Sequence, residues 1–463
     1  MSPADHPGTG APAAHPAPYA PSTQTSLLTD RYELTMLQAA LADGTADRHC
    51  LFEVFTRRLP AGRRYGVLAG TGRVLESLAT FRFTDLELSW LQEARVVDDR
   101  TLDYLAGYRF TGSITGYAEG DVFFPQSPVM VVEGTFAEAV LLETLVLSIL
   151  NYDSAVASAA SRMTSAAVER PCLEMGSRRA SETAAVAAAR AAAVAGFAGT
   201  SNLEAGRRYG IATIGTAAHA FTLLHDDERT AFASQVASLG VGTTLLVDTY
   251  DVRQGVKNAV AVAGTELGAV RLDSGDLGIQ AVEVRKQLDG LGATGTRITV
   301  TSDLDEYAIA ALAAAPVDSY GVGTSLVTGS GAPTCGMVYK LVARSDADGV
   351  LQPVAKASTL KTSTGGRKSA ARQYGEDGRA VAEVLVTGPD DAVALWEPGD
   401  DEDLRPLHVP LVLDGAVDSR WIGAYGVHNA ARRHAEARAE LPRGARRLSA
   451  GDPALPTLTR TLG

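Results

Sequence analysis

From about residue 198 onward the chain alternates short apolar runs with helical stretches, and no other feature limits its fold so strongly. The runs are "GIATIGT" (210–216), "TTLLVDT" (243–249), "GAVRLDSGD" (268–276), "RITVTSD" (297–303) and "DSYGVGTS" (318–325). Between them lie stretches such as "DDERTAFASQVASLG" and "IQAVEVRKQLDGLG". Strands separated by helices run parallel, joined by right-handed crossovers. A series this long predicts an α/β chain with an irregular β/α barrel rather than an open sheet. Neither the Rossmann pattern G-x-G-x-x-G nor the P-loop pattern follows any of these runs.

Each run ends in small polar residues: Gly215-Thr216, Asp248-Thr249, Asp273-Ser274-Gly275-Asp276, Ser302-Asp303 and Gly323-Thr324-Ser325. In a β/α barrel such positions form the C-terminal rim, where ligands bind. Gly, Ser, Thr and Asp also cap helices, and that plainer reading suits any single cluster. Five in succession favour a phosphate site, because short side chains let backbone N–H groups reach phosphate oxygens. The Gly323-Thr324 pair suits close backbone approach of that kind.

Five features can carry chemistry. Arg271 lies inside an otherwise apolar strand, where a guanidinium needs an internal carboxylate or an anionic ligand. Asp273 and Asp276 can hold a ribose diol or a metal-bound diphosphate. Arg178 and Arg179 in "GSRRAS" form either a solvated turn or a fork for phosphate or carboxylate. His219, in "ATIGTAAHAF", reads first as a packed side chain and second as a reactive one. "KTSTGGRKS" (361–369) reads as a surface loop, with a mobile anion-binding loop as the second reading.

The flanks read differently. "TDRYELTMLQAALADG" has helical periodicity, with Thr29 or Asp30 as cap and Gly44 as stop. Strand-like "HCLFEVFTRRL" and "YRFTGSITGYAEGDVFF" follow, Pro125 and Pro128 punctuate the chain before "VMVVEG", and Ala-rich helices run over roughly 136–170 and 178–196. Residues 1–24 are rich in Pro, Ala and Gly without a leader pattern, and are expected to be disordered. His6 and His15 lie there and are set aside. With 463 residues and 46% hydrophobic content, two or three domains are expected. A net charge of -12 argues against nucleic acid and anionic membranes as partners. "AVLLETLVLSIL" is too short to span a bilayer and contains Glu143. Cys50, Cys172 and Cys335 lie far apart, which argues against disulfides and thiolate zinc and for a reducing cytoplasm. No metal ligands are assigned.

Taken together these segments resemble the nicotinate phosphoribosyltransferase family. The resemblance is carried by "LLTDRYELTM", "FEVFTRRLPAGRRYGVLAG", "FTGSITGYAEGDVFFPQSPVMVVEG", "AVLLETLVLSILNY", "EMGSRRA", "AGTSN", "GTAAHAF", "RLDSGDL", "YGVGTSLVTG", "MVYKLV" and "RRLSAGDPALPTLT". It covers nearly everything after about residue 25. It implies transfer of phosphoribosyl from 5-phosphoribosyl diphosphate to nicotinate, coupled to ATP hydrolysis, in NAD salvage. It also implies a class II phosphoribosyltransferase fold: the barrel (131–344) beside an α+β unit built from residues 25–130 and 345–463.

By position, His219 matches the histidine that ATP phosphorylates, although Ala220 replaces the commoner serine. Tyr32, Thr216 and Arg271 match nicotinate contacts. Thr324, with Gly323, matches a phosphoribosyl contact, and Arg178 and Arg179 fall on the basic motif near the site. Departure of diphosphate leaves positive charge on the ribose, which Asp273 can stabilise while Mg²⁺ stabilises the diphosphate. A homodimer is the default expectation for the class. A class I phosphoribosyltransferase is rejected because Asp248 and Asp251 in "TLLVDTYDVRQG" are not adjacent and Thr-Gly-Gly-Thr is missing. Nicotinamide or quinolinate specificity and a silent metabolite-binding paralogue are the remaining rivals; His219, Arg271 and Thr324 together weigh against the paralogue.

Overall fold

The computed structural model describes residues 25–60, 62–356, 364–398 and 403–463. The tail 1–24 and residues 361–363 of the basic loop lie outside the described residues.

The centre of the fold is a parallel sheet of six strands: β1 (Cys172–Glu174), β2 (Gly199–Thr200), β3 (Thr244–Leu246), β4 (Ala269–Leu272), β5 (Arg297–Val300) and β6 (Ser319–Val322). Their spatial order is β2-β1-β6-β5-β4-β3, and every neighbouring pair is parallel. Four of the five predicted runs are therefore strands, each bounded by the residues that bury both faces. Val270, Leu272, Ile298, Val300, Tyr320 and Val322 are fully buried.

The fifth run, 210–216, is a correction. It touches the sheet through one parallel bridge, Thr213 to Thr200. Ala212, Thr213 and Gly215 are exposed, so this stretch lacks the two-sided burial that extends a parallel strand. Strands β1 and β2 were not anticipated. At three and two residues they are too short to register as apolar runs between Ala-rich helices.

The long helix Glu143–Ala167 packs beside the sheet, and its small residues let backbone approach closely. Ser158 Oγ accepts from Val67 N at 2.9 Å, and Ser154 Oγ accepts from Ala69 N at 3.1 Å. Two donors that would otherwise be buried unpaired are satisfied in this way.

An antiparallel sheet of seven strands joins both ends of the chain. Its order is Leu351–Pro353, Met337–Ser345, His49–Thr56, Met130–Thr135, Ser113–Tyr117, His408–Leu413, Ala416–Val417. The unit boundaries expected at 130/131 and 344/345 fall inside two of these strands. Backbone pairing holds both strands in this sheet, from Val54↔Met130 to Cys50↔Arg344. A second sheet orders Leu404–Pro406, Ser369–Tyr374, Ala380–Thr387 and Thr457–Thr461.

The first helix, Arg31–Asp43, ends at Gly44 with φ of 80°, a conformation that glycine adopts without strain. Its fully buried Glu33 accepts from Thr29 Oγ1 at 2.6 Å and Thr144 N at 2.8 Å, tying the helix to the start of Glu143–Ala167. Among the described residues no helix is long and apolar enough to cross a membrane. The three cysteines are free and buried.

Candidate active site

The polar residues at the strand ends divide into two sets. Asp251, Asp276 and Asp305 cap the helices that follow, accepting from Gln254 N at 2.7 Å, Ile279 N at 3.1 Å and Ala308 N at 2.8 Å. For these three the plain capping role holds. Thr216, Asp248 and Asp273 cap no helix: Thr216 accepts from Arg271, and the two aspartates approach His219.

Asp248 closes the apolar run "LLV" and its side chain is 2% exposed. Its Oδ2 accepts from Asp273 N at 2.8 Å and from Ser274 Oγ at 2.9 Å. Its Oδ1 is buried without a hydrogen-bond partner and lies 4.0 Å from His219 Nε2. Asp273 Oδ2 lies 3.9 Å from the same nitrogen. On the other side of the ring, His219 Nδ1 sits 3.1 Å from Thr249 Oγ1. His219 opens the short helix His219–Leu223 and is partly exposed. The imidazole thus has a hydroxyl at one nitrogen, two carboxylates near the other, and a path to solvent.

Arg271 occupies the one polar position of β4. Its Nη1 donates to Thr216 Oγ1 and its Nη2 to Ala217 O at 3.1 Å. These bonds tie β4 to the stretch after Thr213. Burial lowers the pKa of the Arg271 guanidinium; Asp273 and Asp248 oppose this, and the like charge of Arg178 adds to it. Arg271 makes no ion pair among the described residues, and its Nε is buried without a partner. This favours the second sequence reading, a cation available to an external anion.

Arg178 and Arg179 form one exposed turn, Ser177–Arg179, directly after β1. Gly323 and Thr324 follow β6, beside it; a Cβ on Gly176 would meet Gly323 O at 3.1 Å. Five of the expected residues, His219, Thr216, Arg271, Asp273 and Arg178, therefore interact directly or through charge. Tyr32 does not join them. It is 44% exposed on the first helix, and burial and Glu143, its hydrogen-bond partner, push its phenol pKa upward. Glu143 in turn lies 3.9 Å from Lys340 Nζ.

Sequence reasoning missed three residues of this cluster. Asp248 and Thr249 were read only as a rim pair, although an aspartate ending an apolar run was the available signal. Thr301 donates to Asp273 Oδ1 and carried no signal, because a threonine in a strand reads as strand filler.

A family model, the nicotinate phosphoribosyltransferase N-terminal domain, matches residues 27–151. The chain is 56% identical over 465 residues to nicotinate phosphoribosyltransferase pncB1 of Mycobacterium tuberculosis, covering 97% of this chain and 98% of that one. This chain belongs to the nicotinate phosphoribosyltransferase family. The family's enzyme from Bacillus subtilis is 39% identical over 397 residues, covering 83% of this chain and 79% of that one. The crystal structure of human nicotinic acid phosphoribosyltransferase superposes with a TM-score of 0.78 at 26% identity, covering 94% of this chain and 97% of that one. The two-unit α/β architecture is therefore the family's own.

Proposed function

We propose that this chain transfers phosphoribosyl from 5-phosphoribosyl diphosphate to nicotinate, releasing nicotinate mononucleotide and diphosphate. The observation that carries this reading is the rim cluster, in which Arg271, beside Asp273 and His219, has no ion pair among the described residues. Arg271 binds the nicotinate carboxylate through N–H donors left over from Thr216 and Ala217, a guanidinium having five. The pyridine nitrogen attacks C1 of the ribose as the bond to diphosphate breaks. Positive charge develops on the ribose, and the partly exposed Asp273 carboxylate stabilises it. Arg178, Arg179, Gly323 and Thr324 supply the phosphate contacts.

ATP enters through His219. In the tautomer that carries its proton on Nε2, the Nδ1 lone pair beside the Thr249 hydroxyl attacks the γ-phosphorus as ADP leaves. The proton stays on Nε2, near Asp248 and Asp273, whose charges stabilise the imidazolium and would repel a phosphoryl group placed there. Hydrolysis of the phosphohistidine returns the free ring. Asp273, partly exposed, and Asp248, with one buried oxygen that has no hydrogen-bond partner, are the carboxylates that would hold Mg²⁺ beside substrate phosphates. When bound it neutralises the leaving diphosphate.

The exposure of Tyr32, whose hydrogen-bond partner is Glu143 rather than a residue of this cluster, supports a homodimer in which the partner subunit's Tyr32 completes the site. Mixing Tyr32→Ala with His219→Ala subunits, neither of which should show ATP-stimulated turnover alone, should then restore part of that stimulation; no recovery on subunit exchange would refute the shared site. The buried free cysteines support a cytoplasmic setting.

The deciding assay incubates the protein with nicotinate, phosphoribosyl diphosphate and Mg²⁺, with and without ATP. Nicotinate mononucleotide is expected, together with ADP and phosphate when ATP is present. Product from nicotinamide or quinolinate alone would overturn the assignment. His219→Ala should abolish ATP hydrolysis and keep a slower, ATP-independent transfer.

A further inference from the structure

Arg271 and Asp273 stand two residues apart at the end of β4, so their side chains leave the strand toward the same side. An arginine and an aspartate so placed are natural salt-bridge partners. Among the acids, Asp273 is the one whose charge acts most strongly on Arg271. Yet the two form no ion pair among the described residues.

Something holds the carboxylate elsewhere, and the register of the sheet identifies it. Strand β5 pairs with β4 as Thr299↔Arg271 and Val300↔Leu272. One further step places Thr301 beside Asp273, and Thr301 Oγ1 donates to Asp273 Oδ1. Thr301 is 5% exposed. Its rotamer is fixed from the other side by Gly321 of β6, where a Cβ would meet Thr301 Cγ2 at 2.5 Å and Met175 Sδ at 2.7 Å. The methyl therefore occupies the space a side chain at 321 would need, and the hydroxyl is turned onto the aspartate. Asp248 completes the hold by accepting from Asp273 N at 2.8 Å.

We infer that Thr301 is a positioning residue that keeps Asp273 from neutralising Arg271, and so sets preference for an anionic pyridine over a neutral one. The inference rests on the proposed use of Arg271 and Asp273. Without the Thr301 hydroxyl the carboxylate swings to the guanidinium. The anchor for nicotinate is then occupied, and a carboxylate stands where the incoming substrate carries its own. A neutral pyridine loses far less, because it never used the charge.

Thr301→Val keeps the shape and removes only the donor. Loss of a hydrogen bond to a charged group predicts a fall of about tenfold to a hundredfold in kcat/KM for nicotinate. Most of it should appear in KM, with a smaller fall for nicotinamide, so the ratio of the two narrows. Thr301→Ser retains the hydroxyl and should restore both KM and the ratio. Gly321→Ala keeps the hydroxyl but displaces it, and should reproduce the Thr301→Val signature if that variant fails to fold. Unchanged KM and ratio in folded Thr301→Val, or equal impairment of the Val and Ser variants, would overturn the inference. Asp273→Asn separates the two levels: if it keeps full turnover, the proposed role of Asp273 fails; if it is inactive while Thr301→Val is normal, only the role of Thr301 fails.

Discussion

Two arginines, the buried Arg190 and the half-buried Arg271, differ in how the fold answers their charge. Arg190, on the helix Glu182–Val194, is fully buried and places Nη1 and Nη2 on the two oxygens of Glu119, the second at 2.8 Å. Its guanidinium also lies 5.3 Å from the centre of the Tyr209 ring. Glu119 is satisfied in turn by Gly70 N at 2.6 Å and Gly72 N at 3.0 Å. Burial works against the Arg190 charge, but Glu119 outweighs it and the pKa rises. At Arg271 burial wins and the pKa falls. The first arginine has its counter-ion inside the fold. The second has hydroxyl and carbonyl acceptors but no paired acid among the described residues, as a site for an external anion requires.

The comparison is tested most severely by removing each cation. Arg190→Met strands the Glu119 carboxylate in the interior, which costs about 3–5 kcal/mol. A large drop in Tm is expected, with no comparable drop for Arg271→Ala. The pair also sets an acid limit. Burial alone would raise the Glu119 pKa, but Arg190 and the two backbone donors bring it below the ordinary value of 4.5. Its contribution is thus complete above the unfolded pKa and is lost as pH falls through the lower folded one. Thermal denaturation scanned downward from pH 5 should show the loss in wild type, and Glu119→Gln should flatten it. Equal Tm losses for Arg190→Met and Arg271→Ala would erase the distinction between the two arginines.

At the rim the expected effect is on selectivity. Arg271→Ala should lower kcat/KM for nicotinate by about tenfold to a hundredfold, the loss of a charge-assisted hydrogen bond. Nicotinamide use should fall less. Arg271→Lys keeps the charge but cannot tie Thr216 and Ala217 while holding a carboxylate, so it should also be impaired. The ratio of the two kcat/KM values is the measurement, and an unchanged ratio in folded Arg271→Ala would make Arg271 a strut for the stretch before His219.

How much of this was legible in the sequence depends on length and on spatial pairing. Strands β3 to β6 were readable because burial on both faces requires an apolar run, and the rim follows from where each run stops. Strands β1 and β2 were not, because a few residues carry no periodicity. The antiparallel sheet joins His49–Thr56 to Met337–Ser345, a pairing that no local pattern encodes. Within the site, Arg271 stood out as a cation in an apolar strand and Asp273 as part of the polar cluster that ends it, whereas His219 gained its role from the family resemblance. Tyr32 matched the family motif, but the described chain places it with Glu143 and Lys340. Thr301 becomes visible only when the β4–β5 register is known.

The smallest expected effect separates two aspartates of one motif, Asp273 and Asp276 in "RLDSGDL". Both were candidates for ribose or metal-bound diphosphate. Asp276 instead caps the helix Leu277–Gly290, its Oδ1 accepting from Ile279 N at 3.1 Å. Asp273 begins no helix and stands 3.9 Å from His219 Nε2. Asp276→Ala should therefore cost about 1 kcal/mol of stability, the usual value of an N-cap. Its kcat/KM for nicotinate should stay within about twofold of wild type, well below the tenfold change that 1.4 kcal/mol in the transition state would bring. Asp276→Asn, which caps as well, should recover the stability. A tenfold loss of activity in Asp276→Asn, with Tm intact, would place Asp276 on the substrate and extend the site along the helix that it caps.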